Sequence, residues 1–399
     1  MIFQTKKLGD ICYINPTKSE TRNFSDSTPV SFVPMSAVNE HSQSIVSEET
    51  RKFSTVKNGF TYFKKGDILF AKITPCMENG KVALSKNLRN EIGFGSTEFH
   101  VLRAKKEFVL PEYIYYLVRS EVFRKEAEQK MTGSAGQKRV PKEFIINYEI
   151  PLPPLKTQKE IVAKLDEKFE KLREAKKLRE EALVDTEKIL SQTLREIFEE
   201  GKQKGWEEKT IEDSCVLKSG TTISPSLEKQ QGDLLYLKVA DMNLSENQIE
   251  INTSSRFCDS KKANLKQVIP IGSVIFPKRG GAIFTNKKRL IIKPTIVDLN
   301  IMAMIPGNSL ESKFLYYWFT MLDLKTINSG SSIPQINNVD INPLKILIPP
   351  LAEQKQIVKK LDVLSEKLRT LRDLQTSQLT DLKSLERAYL REAFRGELV

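Results

Sequence analysis

The side chains equipped for chemistry lie in short basic or amide-rich segments that follow strand-like runs. Lys72 closes "GDILFAK" and Lys278 closes "GSVIFPK", so one residue type ends two similar stretches. Lys81 follows shortly after the first, at the end of "TPCMENGK". Arg279 stands before Gly280 and Gly281, with Lys287, Lys288 and Arg289 close behind. "GSAGQKRV" (133–140) supplies Ser134, Gln137, Lys138 and Arg139, and its loose counterpart "GSSIPQIN" (330–337) supplies Gln335. Cationic side chains neutralise phosphates, while Ser, Gln and Arg can hydrogen-bond base edges, so these loops suit nucleic-acid contact. The plain alternative for any single residue is a solvated loop.

Catalysis finds little support. The chain has no G-x-G-x-x-G or GxxxxGK[ST] loop, no histidine cluster, and no Asp/Asn-Pro-Pro-aromatic run. "GFGST" (93–97) is too short to mean cofactor binding and reads as a turn. Cys12, Cys76, Cys215 and Cys258 form no CxxC, and only His41 and His100 could supplement them, so no zinc site is expected. No signal peptide or membrane-length apolar run is evident, which fits a soluble, cytoplasmic protein.

Charge supports an anionic partner. The 399-residue chain carries a formal +12, and the excess is local: 19 Lys/Arg against 11 Asp/Glu in residues 51–150, and 10 against 2 in residues 251–300. Residues 151–200 (11 against 12) and 351–399 (10 against 8) are nearly neutral. The surplus thus sits in two non-helical regions, one in each half.

Two long helices must position these regions. "PPLKTQKEIVAKLDEKF" from Pro153 and "PPLAEQKQIVKKLDVLS" from Pro349 share prolines, glutamine and "KLD" in one register, 196 residues apart. The match runs without a gap to "LREIF" and "LREAF". Pro154 and Pro350 are expected helix starts. Apolar residues recur with coiled-coil spacing: Ile161, Leu165, Phe169, Leu172, Leu183, Leu190 and Leu194, then Ile357, Leu361, Leu364, Leu368, Leu371, Leu382 and Leu385. Leu165, Phe169, Leu172, Leu361, Leu368 and Leu371 are the expected helix-packing residues. Gln375 and Gln378 fall on the seam and read as ordinary exposure near a helix crossing, with a register-fixing polar pair as the alternative. Gly201 and Gly205 read as joints after the first helix.

The flanks repeat too: residues 63–72 resemble 268–278, "YIYYL" resembles "FLYYW", and residues 3–12 resemble 206–215. The tyrosine-rich stretches read as helices packed on a sheet, with base-stacking platforms as the alternative. The order is globule, helix, globule, helix. A helix of about 46 residues spans roughly 70 Å at about 1.5 Å per residue. A globule of about 145 residues, near 40 Å across, cannot return the chain that far. The helices are therefore expected to run antiparallel with a head at each end, in an α+β fold with a pseudo-twofold internal repeat.

These residues resemble a known family. "GDILFAKITPCMENGKVA", "GFGSTEFHVLR", "PLPPLKTQKEIVAKLD" and "IPPLAEQKQIVKKLD" look like specificity subunits of Type I restriction–modification systems, and the resemblance spans nearly the whole chain. The second head departs from the pattern, with "GGAIFTNKKRL" in place of "TPCMENGK". The resemblance implies target-recognition domains at 1–152 and 203–348, each reading one half of an interrupted double-stranded DNA site. It implies spacer helices at 153–202 and 349–399 that dock two modification subunits. Those subunits would bind S-adenosylmethionine and methylate adenine; restriction subunits using ATP and Mg would join them. This chain would then hold no cofactor and no catalytic group. The rival from another class is a coiled-coil adaptor with two protein-binding heads.

Overall fold

The structure, a computed structural model, describes residues 3–134, 136–329 and 333–398. The chain divides by compactness into two units, residues 1–179 with 376–399 and residues 180–375. The division cuts both long helices, so each unit holds one head and half of each helix.

In the first unit, Cys12–Ile14, Phe99–Ala104, Ile68–Ala71 and Val82–Leu84 form an antiparallel sheet in that spatial order. A second sheet orders Glu49–Lys52, Pro29–Val33, Ile92–Gly95 and Thr61–Lys64. The strand Ile68–Ala71 is buried along its whole length because it feeds two cores. Ile68 and Phe70 face the core shared with the helices, while Leu69 joins the core that holds Phe63 and Phe99. Helix α1 (Pro111–Arg119) starts on a proline and buries Tyr113, Ile114, Tyr116 and Leu117.

The second unit repeats this plan. Its five-stranded sheet orders Cys215–Ser219, Ile301–Pro306, Val274–Pro277, Arg289–Ile291 and Glu250–Ile251. Val274 and Phe276 enter the helix-side core and Ile275 the other. Phe257–Cys258, Leu234–Leu237 and Thr295–Val297 form the smaller sheet. In each head the first strand pairs with the last, Thr5–Lys7 with Glu149–Pro151 and Glu207–Thr210 with Lys345–Ile348.

Helices α2 (Leu155–Gln203), α3 (Ser312–Thr320) and α4 (Leu351–Arg395) complete the frame. Both long helices begin one residue after the expected proline. The repeated glutamine explains the repeated motif. Gln158 is fully buried; it accepts from Leu110 N (2.9 Å) and donates to the carbonyls of Phe108 (3.0 Å) and Pro153 (2.8 Å). Gln354 does the same with Glu311 N (2.7 Å) and the Ser309 (2.9 Å) and Pro349 (2.7 Å) carbonyls. The "KLD" aspartates are the second pin: Tyr116 donates to Asp166 at 2.5 Å and Tyr317 to Asp362 at 2.7 Å. Burial and the adjoining carboxylate push both hydroxyls far above the usual tyrosine range.

The long helices pack antiparallel, as each unit shows separately. Lys164 Nζ donates to Leu398 O (2.9 Å) and Lys168 lies 4.0 Å from the Tyr389 ring centroid in the first unit. In the second, Thr186 donates to Gln375 (3.3 Å) and Lys204 lies 3.9 Å from Glu353. Leu165, Phe169 and Leu361 are buried and Leu172 and Leu368 half-buried, but Leu371 is 40% exposed. Gln378 is exposed as expected, whereas Gln375 is buried against Thr186. Gln375 therefore departs from the expected exposure, while Gln378 keeps it.

Two glycine expectations change. Gly201 is helical, not a joint; a Cβ there would lie 2.1 Å from the Trp206 ring, so glycine admits the indole. Gly205, with φ of +72°, makes the turn. "GFGST" begins as a strand, Ile92–Gly95, and a Cβ on Gly93 would lie 2.3 Å from the Phe63 ring. All four cysteines are free, and burial pushes Cys12 and Cys215 up to about 12. Among the described residues, no helix is long and apolar enough to cross a membrane and no His/Cys/Asp/Glu cluster could hold a metal.

Candidate nucleic-acid interface

In each head three loops meet where the central strand ends, and the same backbone bonds bring them together. In the first head Lys72 N donates to Glu98 O (2.9 Å), Val140 N to Lys72 O (2.8 Å) and Thr74 N to Lys138 O (3.0 Å). In the second, Lys278 N donates to Asn300 O (2.8 Å), Ile336 N to Lys278 O (2.9 Å) and Gly280 N to Pro334 O (2.8 Å). Lys72 and Lys278 are thus equivalent in space as well as in sequence. Arg139 bridges Ile73, and Gln335 bridges Arg279, at corresponding points.

Within this shared frame the candidates fare differently. Ser134, Gln137 and Lys138 are exposed beside half-buried Lys72 and Arg139. Lys81 is half-buried and donates to Met35 O (3.3 Å). Arg139 is clamped by Glu98: Nη2 lies 2.8 Å from Oε1 and Nε lies 3.0 Å from Oε2, while Nη1 donates to Gln137 O (3.0 Å). That guanidinium holds the Glu98 carboxyl below the usual carboxylate range.

In the second head Arg279 is exposed, and Gln335 is half-buried with Nε2 donating to Asn337 (2.7 Å). Residues 330–332 of its loop, like Ala135 in the first head, lie outside the described residues. Lys278 is buried and donates to Ser219 (2.7 Å), and burial lowers its pKa. Lys287 is half-buried and donates to Asn243. Lys288 and Arg289 depart from the reading of a solvent-facing basic run. Lys288 is only 4% exposed; its ammonium donates to Asn286 Oδ1 (2.6 Å) and Leu322 O (2.5 Å). Burial pulls its pKa down to about 8. Arg289 is half-buried and donates to the Lys288 (2.7 Å) and Met242 (3.1 Å) carbonyls. Consecutive residues entering a strand point to opposite faces, so this run could not expose all its charges together.

Part of the first head's surplus is likewise structural. Arg103 donates from Nε and Nη2 to Asp67, each bond 2.8 Å long, and Asp67 is buried. Sequence reading missed Glu98 and Asn300, which carry no local motif, and also His100. His100 is buried, with Nε2 2.8 Å from Val140 O and Nδ1 3.1 Å from Asn15 Nδ2. A neutral ring protonated on Nε2 satisfies both contacts, donating to Val140 and accepting from Asn15. Burial, the largest influence, lowers the His100 pKa. The ring thereby ties the strand Phe99–Ala104 to the end of the Arg139 loop at Val140.

Two heads with one scaffold and different loop side chains define a duplicated recognition protein. The family model described as "Type I restriction modification DNA specificity domain" matches residues 2–182 and 203–379, and the chain belongs to that family. The EcoAI specificity subunit of Escherichia coli is 44% identical over 137 residues, which are 34% of this chain and 23% of that relative. The match thus spans about a quarter of that relative's length. A chain from a solved structure titled for complex assembly and conformational transition of the type I R-M system is 28% identical, with a TM-score of 0.84 over 99% of this chain and 98% of that one. The HsdS subunit of Thermoanaerobacter tengcongensis is 27% identical, with a TM-score of 0.63 over 99% of this chain and 97% of its own.

Proposed function

We propose that this chain is the DNA-specificity subunit of a type I restriction–modification complex. Each head, near the bounds 1–152 and 203–348, reads one part of an interrupted double-stranded site. The long helices hold the heads at a set spacing and dock two modification subunits. One observation supports this most: identical backbone bonds in the two heads display different polar side chains. A common frame with exchangeable contacts is what two distinct half-sites need.

Cationic residues at the loop margins, among them Lys72, Lys138 and Lys287, supply phosphate attraction. Arg279, Gln137, Arg139, Gln335 and Ser134 are candidates for base edges. The chain supplies recognition only. S-adenosylmethionine would be bound by the modification subunits, and ATP with Mg by restriction subunits, on cytoplasmic DNA.

The test is selection from a randomised duplex library by the full chain assembled with its modification subunits. A two-part sequence with a fixed gap is expected. Recovery of sequences with no shared motif would defeat the reading.

A further inference from the structure

The repeat superimposes two unlike pairs of side chains. The Lys72 and Lys278 backbone bonds place Glu98 and Asn300 at one position of the head, and Arg139 and Gln335, each preceding the residue that donates to that lysine's carbonyl, at another. We infer that Arg139, buttressed by Glu98, and Gln335, in the head where Asn300 stands at the Glu98 position, are the equivalent base-selecting residues of the two heads, the first choosing guanine and the second adenine. This rests on the reading of the heads as DNA-recognition modules.

The donor inventory carries the assignment. A guanidinium has five N–H groups. Glu98 engages those on Nε and Nη2, and Gln137 O engages Nη1. One N–H on each terminal nitrogen remains, held in plane by the carboxylate, with the side chain 42% exposed. Two remaining donors on a fixed plane can meet guanine O6 and N7, which are both acceptors. Gln335 commits one Nε2–H to Asn337. Its amide keeps a second N–H and its oxygen, one donor beside one acceptor, which complements adenine N7 and N6. Asn300 is also oriented, donating to Asp298 Oδ2 (3.2 Å).

The test compares duplexes selected from a randomised library by the complex carrying wild-type chain, Arg139→Lys, the exchange Glu98→Asn with Arg139→Gln, and the reciprocal Asn300→Glu with Gln335→Arg. Thermal unfolding of each variant accompanies the selection. The first exchange should turn one position of one half-site from guanine to adenine by about tenfold or more, leaving the other half-site unchanged. The reciprocal exchange should do the opposite in the second half-site. Arg139→Lys keeps a charged partner for Glu98 but lacks the fork, and should relax that single guanine; it carries the test if an exchange fails to fold. Folded variants that select the wild-type sequence at every position would overturn the assignment while leaving the heads as DNA readers. A wild-type complex that selects no two-part sequence would overturn both.

Discussion

Replacing Gln354 with methionine keeps the side chain's approximate volume and removes its polar atoms. Three hydrogen bonds around the fully buried side chain vanish: the Pro349 carbonyl loses a buried partner, while the Glu311 N–H and the Ser309 carbonyl lie nearer solvent. At about 1 kcal/mol per lost bond, and up to about 3 for an orphaned buried group, the expected loss is about 3–5 kcal/mol. That is a large share of the roughly 5–15 kcal/mol typical of a domain. With a urea slope of about 2 kcal/mol/M, the midpoint should fall by about 2 M. Both tryptophans, Trp206 and Trp318, lie within residues 180–375, so their fluorescence reports that unit alone. Gln354→Met should shift the fluorescence transition strongly. Gln158→Met should leave it nearly in place while lowering a transition seen by circular dichroism. A Gln354→Met loss below about 1 kcal/mol would refute the glutamine as the pin between helix and head.

Other outcomes follow from single contacts. The neutral His100 ring contributes stability in full above its unfolded pKa of about 6.5, and loses it as pH falls through the lower folded value. Lys72 and Lys142 oppose its charging and Glu143 favours it, so hydrogen-exchange protection in residues 133–140, corrected for intrinsic rates, should fall as pH drops below about 6.5 in wild type but not in His100→Gln. If the second head's loop contacts phosphate, Lys287→Gln should reduce the log–log salt slope of DNA binding by about 0.9. Buried Lys288→Met should leave that slope unchanged, and a salt titration separates the two. Gly201→Ala should displace the Trp206 indole, red-shift its emission and cost about 1–3 kcal/mol.

The long helices were legible because period, prolines and an ungapped repeat all pointed the same way. The repeated glutamine and aspartate stood in plain view, yet their partners are loop backbone and tyrosines about 50 residues earlier, which periodicity does not reveal. The strands ending at Ala71 and Pro277 were legible as continuous apolar runs, since both faces are buried. The candidate interface was legible only by region. Lys288 lies within a basic run, but strand alternation turns it inward over Phe319. Glu98 and Asn300 acquire meaning only from the carbonyls that bind Lys72 and Lys278. Gln375 and Gln378 looked alike on the seam; only packing against Thr186 separates them.

The spacing role of the helices is the central claim, and it has a direct measurement. One helical turn inserted into each long helix, after Glu180 and after Gln378, adds about 6 Å at about 1.5 Å per residue. That is about two base pairs of duplex at roughly 3.4 Å each. Library selection by the assembled complex should return the same two half-sites separated by a longer gap. An unchanged gap, or altered half-sites at the old gap, would contradict the claim that the helices set the distance between two independent readers.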